Sequence, residues 1–259
     1  MRRVGGAAVL GYLAGTLPSA DLACRLATGG TADLRATGSR NPGASNVIKL
    51  LGPRWGYGVM AADMAKGALA CTAGRVVAGD AGAHVAGVAA VVGHCYPVWN
   101  GFRGGGKGVA TSAGQCAATF PAWSVPDLFV AWGAASLPPR LARRRRLPDE
   151  RSGWAWAPPG EAAWWRRRHV ASTIVSSSVW VAAATLWWRR RWPNLWGPRP
   201  TAALPLAAAA TSAVILFRLA TEPNPAPPPD PPLPPDGGDR EPLVPVPSPP
   251  TVSAEQPRE

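Results

Sequence analysis

Long apolar runs separated by short polar segments dominate the first 220 residues of the chain. A helix that crosses a bilayer needs about 20 consecutive, mostly apolar residues, and several of these runs reach that length. The pattern therefore predicts membrane-spanning helices and argues against a soluble globular enzyme. The predicted spans are residues 4–27, 55–78, 84–99, 109–137, 170–188 and 201–220.

Prolines interrupt two of these runs. Pro18, with Asp21 after it, falls inside the first run, which we still expect to form one retained helix. Residues 109–137 are too many for one untilted span. We expect Pro121 and Pro126 to divide them into a short helix and a further span, because proline breaks the hydrogen-bond ladder of a helix. The predicted fold is all-α: a polytopic integral membrane protein with six or seven transmembrane helices.

The composition changes sharply near residue 221. Residues 221–259 hold 15 of the 30 prolines, seven acidic residues and two arginines, which gives this segment a net charge of −5. Such a segment buries too little apolar surface to fold by itself. We therefore predict a transmembrane domain over residues 1–220, with a long basic loop at 138–169, and a disordered, proline-rich acidic tail over 221–259.

The rest of the chain is strongly basic, since the net charge of the whole is +12 despite the acidic tail. The arginines stand beside runs of spanning length, which favours anionic lipid and membrane topology over nucleic acid as their partner. With seven spans, the loops at 28–54, 100–108 and 138–169 share the cytoplasmic side, and the arginines at 189–191 fall outside. With six spans, that cluster lies inside and the tail lies outside, and the sequence leaves both topologies open.

No sequence pattern points to a metal or a cofactor. The four cysteines have no CxxC spacing and lie in or next to apolar stretches, so we expect small buried side chains rather than ligands or disulfides. The sequence also lacks a recognisable Ser-His-Asp set, paired carboxylates and an HExxH motif. It therefore gives no support to hydrolase or zinc chemistry.

Residues 100–111, NGFRGGGKGVAT, form a glycine-rich loop before an apolar run. Successive glycines let backbone N–H groups turn towards one anion, and the helix expected to begin near Val109 adds its positive end. A flexible hairpin is the plain alternative. A nucleotide-binding P-loop fits less well, because Gly108 replaces the hydroxyl residue that would hold magnesium. We predict an anion site that includes Lys107.

The loop at 34–52, LRATGSRNPGASNVIKLLG, carries hydroxyl, amide and cationic donors. Its NPG segment predicts a turn, and Ser45 predicts the N-cap of a helix that runs through Leu51. Asn46 and Lys49 would then share one face of that helix. This set of donors suits a phosphate and a polyol, although a solvated loop with ordinary turn chemistry has the same composition.

Ionisable residues also occur inside predicted spans. Asp63 and Lys66 are three apart in the second span, so they lie on one helical face, and charged groups at this depth usually line a polar interior. A structural ion pair and a catalytic role are both compatible with this spacing. His94 ends the third span, where a hydrogen-bonded structural role is the simpler interpretation.

Four segments, in this order, resemble the bacterial acyl-phosphate:glycerol-3-phosphate acyltransferases, the PlsY family of integral membrane enzymes. They are GYLAGTLPSADL, GSRNPGASNVIKLLG, DMAKGA and GHCYPVWNGFRGGGKGVAT, and together they cover roughly residues 8–115. Each motif alone is of modest specificity. All four in register, with a matching order of spans, are specific.

The resemblance implies a seven-helix enzyme of phospholipid synthesis in the cell membrane, with its active-site loops towards the cytoplasm. The implied reaction transfers a fatty acyl group from acyl phosphate to the 1-hydroxyl of glycerol 3-phosphate, giving lysophosphatidic acid and phosphate. The expected partners are these substrates and membrane lipid, without nucleic acid and without a cofactor; the sequence leaves protein partners open. On this basis the residues assigned to catalysis are Ser39, Lys49, Lys66 and Lys107, and those assigned to substrate phosphates are Asn41, Asn46, Gly104, Gly105, Gly106 and Lys107.

The chain departs from the family pattern at several positions. Lys49 stands where the family has arginine, which keeps the charge but loses the two-pronged guanidinium. Arg40 replaces a glycine, the glycine loop is one glycine shorter, and the long insert at 138–169 is foreign to the pattern. Residues 169–172 resemble the family's VSLAS-type stretch, whereas its C-terminal histidine and asparagine motif is absent after Phe217. The alternatives are therefore a non-catalytic relative that binds phosphorylated lipid or a partner enzyme, and a membrane scaffold that uses the tail.

Overall fold

The computed structural model describes residues 1–145 and 159–221, and every regular element in these ranges is helical. The predicted acidic tail, from residue 222, and the middle of the predicted loop at 138–169 lie outside the described residues. Four helical segments are long and apolar enough to cross a membrane: Arg2–Thr28, Pro53–Asn100, Val170–Arg190 and Ala203–Thr221. The prediction of an all-α membrane protein is confirmed. The helices are α1 (Arg2–Gly15), α2 (Ser19–Thr28), α3 (Ala44–Leu51), α4 (Pro53–Cys95), α5 (Val109–Thr119), α6 (Pro121–Arg145), α7 (Pro159–Arg190) and α8 (Ala203–Thr221).

The first predicted span is two helices, because the chain leaves helical geometry between Gly15 and Ser19. Pro18 has no N–H to donate to the preceding turn, so it ends α1 and precedes the first residue of α2. Thr16 closes α1, since its N–H donates to the carbonyls of Tyr12 and Leu13. The break leaves polar backbone groups in the middle of an apolar run.

The second and third predicted spans are the two arms of one element, α4, which folds back on itself at Ala78 and Gly79. Gly79 has a φ of +66°, a left-handed conformation that glycine adopts without steric cost. Gly74 and Gly82 face each other across this turn so closely that a Cβ on either would overlap the other's carbonyl oxygen. We call residues 53–77 the first arm and residues 80–95 the second arm.

The fourth predicted run divides at Phe120, between α5 and α6. Pro121 is the first residue of α6, a position where its missing N–H costs nothing. Pro126 was also expected to divide the run, but it lies inside α6 without ending it. α6 continues to Arg145 and α7 begins at Pro159, so helix enters the range predicted as loop from both sides; alanine, leucine and arginine are good helix formers.

The two ends of the helix bundle are distinguished by their contacts. α8 runs antiparallel to α5: Thr211 donates to the Gln115 carboxamide at 2.9 Å in the middle of the pair. Towards one end, Ile215 packs in a buried cluster with Val91 and Cys95 of the second arm. We call this the site end, which contains residues 16–21, 94–108 and 215–221. The opposite end, which contains residues 74–82, 117–121 and 192–203, is called the hairpin end.

Candidate functional site

A cavity of about 720 Å³ opens at the site end. Its walls come from the break between α1 and α2, both arms of α4, and the glycine loop that follows α4. Backbone irregularity of this kind is tolerated in a membrane protein where it lines a polar cavity. The polar residues in its lining include Ser19, Asp21, Arg35, Asp63, Lys66 and His94.

Asp63 and Lys66 form an ion pair deep in the wall of this cavity. The Nζ of Lys66 lies 2.8 Å from Oδ1 of Asp63, and the two side chains are only 6% and 4% exposed. The same ammonium donates to the Leu17 carbonyl at 3.0 Å and to Ser19 Oγ at 3.4 Å. The break between α1 and α2 supplies both acceptors. The buried charge is therefore compensated by a carboxylate and two further oxygens, as burial requires.

The Asp63 carboxylate also connects Ser19 and His94. Ser19 Oγ donates to Asp63 Oδ1 at 2.5 Å, and His94 Nδ1 lies 3.6 Å from the same oxygen. In a hydrolase triad the histidine stands between the serine and the carboxylate. Here the carboxylate stands between the serine and the histidine. The geometry thus gives Ser19 no imidazole base, and the group as a whole is a charged scaffold rather than a nucleophile.

Three contacts hold the glycine loop at the edge of the cavity. Arg35 Nε donates to the Gly104 carbonyl at 3.1 Å, and Arg218 Nη2 donates to the Gly105 carbonyl at 2.9 Å. The Gly106 N–H donates to the His94 carbonyl at 3.1 Å. The loop therefore takes its conformation from two guanidinium groups and the end of α4. Loop peptides fixed in this way are preorganised for a ligand.

Arg35 is itself fixed by a bidentate ion pair. Its Nη1 and Nη2 lie 2.6 and 3.0 Å from the two carboxylate oxygens of Asp21. The hydrogen bond and charge of that carboxylate raise the pKa of Arg35 above its ordinary value. The guanidinium thus remains cationic beside the cavity at any physiological pH.

The glycine loop packs so closely against the end of α4 that two of its positions have no room for a side chain. A Cβ on Gly106 would overlap the His94 imidazole, and one on Gly105 would overlap the backbone carbonyls of His94 and Cys95. Gly104 has a φ of +63°, in the left-handed region. Gly105 and Gly106 are therefore needed for close packing against the end of α4, and anion binding by this loop stays a prediction.

The structure distributes the predicted site residues unevenly. Lys66, Gly105 and Gly106 line the cavity, and Gly104 lies beside Arg35. Lys107 is half-buried at the next position of the loop. Their predicted functional roles, like those of the remaining assigned residues, stay predictions.

The other predicted loop is organised by Asn46. Its side-chain oxygen accepts a hydrogen bond from the Ser39 N–H at 3.0 Å, and its Nδ2 donates to the carbonyls of Leu34 and Thr37, each at 3.2 Å. Asn46 is 1% exposed, so this side chain shapes the loop from within. Lys49, three residues along the same helix, is exposed.

The loop also differs from prediction in its helix start. α3 begins at Ala44 with Gly43 as its N-cap, whereas the sequence predicted Ser45. Gly43 adopts extended geometry there and accepts the first N–H groups of the helix through its carbonyl. The predicted end at Leu51 is correct. Ser39, Asn41, Asn46, Lys49, Gly104 and Lys107 lie outside the cavity lining in the part of the chain that the structure describes.

Four residues of this site were not predicted from the sequence: Ser19, Asp21, Arg35 and Arg218. Arg218 carried a usable signal, because it is a charged residue in the otherwise apolar helix α8. Ser19 and Asp21 directly follow the proline that interrupts the first span, which is where a broken helix offers polar groups. Arg35 had no such signal among the many arginines of the chain.

The chain is similar to known glycerol-3-phosphate acyltransferases. A family model described as glycerol-3-phosphate acyltransferase matches residues 6–142. A glycerol-3-phosphate acyltransferase of Dehalococcoides mccartyi is 47% identical over 107 residues, which are 41% of this chain and 56% of the relative. One from Cereibacter sphaeroides is 38% identical over 149 residues, which are 57% of this chain and 69% of the relative. For the first of these and others like it, the chain spans little more than half of the relative's length.

The fold is also that of a solved membrane enzyme. The crystal structure of PlsY, an integral membrane glycerol 3-phosphate acyltransferase, in its glycerol 3-phosphate form, superposes with a TM-score of 0.54 at 25% identity. The superposition covers 82% of this chain and 88% of that structure. The family model covers the helix break, the Asp63–Lys66 pair and the glycine loop in one continuous match. The chain therefore belongs to the glycerol-3-phosphate acyltransferase family.

Proposed function

We propose that this chain is a membrane acyltransferase that transfers a fatty acyl group from acyl phosphate to the 1-hydroxyl of glycerol 3-phosphate. The products are lysophosphatidic acid and inorganic phosphate. The observation that carries the proposal is the glycine loop, held by Arg35 and Arg218 next to the buried Asp63–Lys66 pair at one open cavity. Family membership and the similarity to PlsY support the same activity.

The proposed chemistry requires positioning more than a strong base. The glycerol hydroxyl oxygen attacks the acyl carbonyl carbon, a C–O bond forms, and the bond from that carbon to the phosphate oxygen breaks. The hydroxyl proton leaves with the departing phosphate, which accepts it readily. The glycine loop with Lys107 would bind a substrate phosphate, and the cations Arg35 and Lys66 would stabilise the negative charge that develops around it.

Lys66 has a particular role in this scheme. Its three ammonium donors already point to Asp63, Leu17 and Ser19. It would therefore act through its fixed charge and through the groups that it holds, rather than by giving up a proton. Ser39, Asn41, Asn46 and Lys49 would belong to a second wall, contributed by the loop before α3.

We further propose seven membrane crossings with the site end in the cytoplasm. α1 with α2, the two arms of α4, α5, α6, α7 and α8 would alternate in direction between the hairpin end and the site end. This arrangement places both predicted substrate loops on one side, where the positive-inside rule puts basic loops. The membrane would be the cell membrane, where acyl phosphate and phospholipid products can partition.

The test is acyl transfer by the purified chain in lipid. The protein receives palmitoyl phosphate and labelled glycerol 3-phosphate, with palmitoyl-CoA as the control donor. We expect labelled lysophosphatidic acid with the acyl phosphate alone. Folded protein that binds either phosphate without turnover would instead identify a non-catalytic relative, consistent with Arg218 standing where the family's C-terminal motif begins.

A further inference from the structure

A second pocket lies at the hairpin end, far from the site already described. Its volume is about 560 Å³, and it is formed by the end of α7 and the segment that leads to α8. Arg191 and Arg199 line it together with Trp188 and Trp192. Cationic and amphipathic aromatic side chains in one pocket are the chemistry that recognises a phosphate at a membrane surface.

The pocket is a built feature, because its wall is anchored to two helices, α5 and α4. Asn194 is buried and its Nδ2 donates to the carbonyls of Thr119 and Pro198, at 2.9 and 2.8 Å. Trp196 Nε1 donates to the Ala117 carbonyl at 3.1 Å. These contacts bind the segment to the end of α5, so the pocket exists without a ligand.

The tip of α4 completes the anchoring. Arg75 Nη1 donates to the Trp196 carbonyl at 2.8 Å, and the Arg199 N–H donates to Asp80 at 3.1 Å. Asp80 is also paired with Arg75 at 3.1 Å. The Asp80 carboxylate is therefore already engaged by Arg75 and by the Arg199 N–H. It does not neutralise the guanidinium groups of Arg191 and Arg199, which line the pocket.

The charge of this end is strongly positive. Arg191 and Arg199 are exposed, as are Arg189 and Arg190 beside them, and no ion pair joins any of the four to a carboxylate among the described residues. Under the orientation proposed above, this end faces away from the cytoplasm. There the positive-inside rule gives no reason for a cluster of arginines, so the cluster calls for another explanation.

We propose that this pocket binds the headgroup phosphate of an anionic glycerophospholipid. Arg191 and Arg199 would hold the phosphate oxygens, and Trp188 and Trp192 would contact the glycerol and the upper acyl chain at the interface. Trp196 and Leu195 are each 67% exposed beside the pocket, which gives the lipid's apolar part a surface to contact. The site is separate from the acyl-transfer cavity and binds a lipid that is not consumed.

The test measures thermal unfolding of the full chain in mixed micelles. Dioleoyl phosphatidylglycerol is titrated in, with dioleoyl phosphatidylcholine and inorganic phosphate as parallel probes. We expect phosphatidylglycerol to raise the unfolding temperature by about 5 °C at saturation. The double variant Arg191→Gln/Arg199→Gln should need about tenfold more lipid for half of this effect, since each lost charged hydrogen bond weakens binding.

The control variant is Arg54→Gln, which removes an exposed arginine at the start of α4. It should leave the lipid requirement within about twofold of the unaltered chain, because diffuse surface charge contributes little. If the double glutamine variant is unstable without lipid, Arg191→Lys/Arg199→Lys replaces it and should give an intermediate requirement.

Three results would overturn the proposal. One is equal stabilisation by phosphatidylcholine, which would indicate a non-selective apolar effect. Another is equal stabilisation by inorganic phosphate, which would make the pocket a free-anion site. The third is an equal rise in the lipid requirement of the Arg54→Gln variant, which would mean that the effect depends only on net charge.

Discussion

His94 Nδ1 lies 3.6 Å from Asp63 Oδ1 because α4 reverses direction at Ala78 and Gly79. In a continuous straight helix, these two positions would be about 46 Å apart at 1.5 Å per residue. The reversal brings the Asp63–Lys66 pair of the first arm against the last turn of the second arm. That last turn of the second arm leads directly into the glycine loop. The reversal at Ala78 and Gly79 therefore brings both parts of the site together.

Removal of the Lys66 charge should destabilise the fold through Asp63. Lys66→Met leaves a buried carboxylate without its main partner, at a cost of about 3–5 kcal/mol. The double variant Asp63→Asn/Lys66→Met removes both charges and should recover a large part of that loss. Thermal unfolding in detergent, read as a double-mutant cycle, measures the coupling. Strictly additive effects would mean that the ion pair does not couple the two positions.

Gly106→Ala should abolish most acyl transfer while the protein still inserts and folds. The added Cβ would overlap the His94 imidazole, so the loop must move away from α4 or the ring must rotate. A displacement of about 1 Å in a positioning loop costs about a hundredfold in rate. Gly58→Ala is the matched control, because a Cβ there has no neighbour within 4 Å. Equal activity of the two variants would exclude a role for the loop's close packing.

Arg218 should position the glycine loop, and its loss should act on substrate binding. Arg218→Ala frees the Gly105 carbonyl, and we expect the KM for glycerol 3-phosphate to rise about tenfold, the equivalent of one charge-assisted hydrogen bond, with a smaller change in kcat. Arg218→Lys should be intermediate because lysine donates without the planar fork.

Guanidinium ion gives that prediction a readout that a general structural defect would not show. Added guanidinium hydrochloride at low concentration should lower the KM of Arg218→Ala and leave that of the unaltered chain unchanged. A fall in kcat alone, with KM unchanged and no rescue, would remove Arg218 from the positioning of the loop.

Gly114→Ala should separate α5 from the first arm of α4. A Cβ at Gly114 would overlap the backbone carbonyl of Met64, and a backbone neighbour has no rotamer by which to give way. We expect a loss of about 1–3 kcal/mol, as for other overpacked interiors. Gly5→Ala, whose Cβ has no neighbour within 4 Å, should be neutral or stabilising because alanine is the better helix former. Unfolding temperatures of the two variants provide the comparison.

The sequence predicted those parts of the fold that follow from local chemistry. The start of α6 at Pro121 was predicted, because proline has no N–H to continue a preceding helix. The first run was expected to stay one helix, and Pro18 instead divides it into α1 and α2 for the same reason. Pro126 shows the limit of that rule, because it lies inside α6 and the helix continues past it. Boundaries such as the Gly43 cap also depend on tertiary context.

Only part of the candidate site could be predicted from the sequence. The charges of Asp63 and Lys66 were conspicuous because ionisable groups are rare in apolar runs. Arg35 was not conspicuous, because nothing in the neighbouring sequence distinguishes it from the other arginines of the chain or indicates its contact with Gly104. That contact joins positions distant in the chain and depends on how the helix break and the glycine loop meet. Neither hydrophobic periodicity nor motif spacing predicts a tertiary contact of this kind.

The tight reversal at Ala78 and Gly79 has a consequence for how the protein enters the bilayer. Because the turn leaves little chain between the two arms, we expect the arms to enter the lipid together. Arg75 and Asp80 stand on either side of the turn and neutralise each other. Under the proposed orientation, this tip would cross the hydrocarbon with no net charge, and we expect the loss of either partner alone to slow insertion.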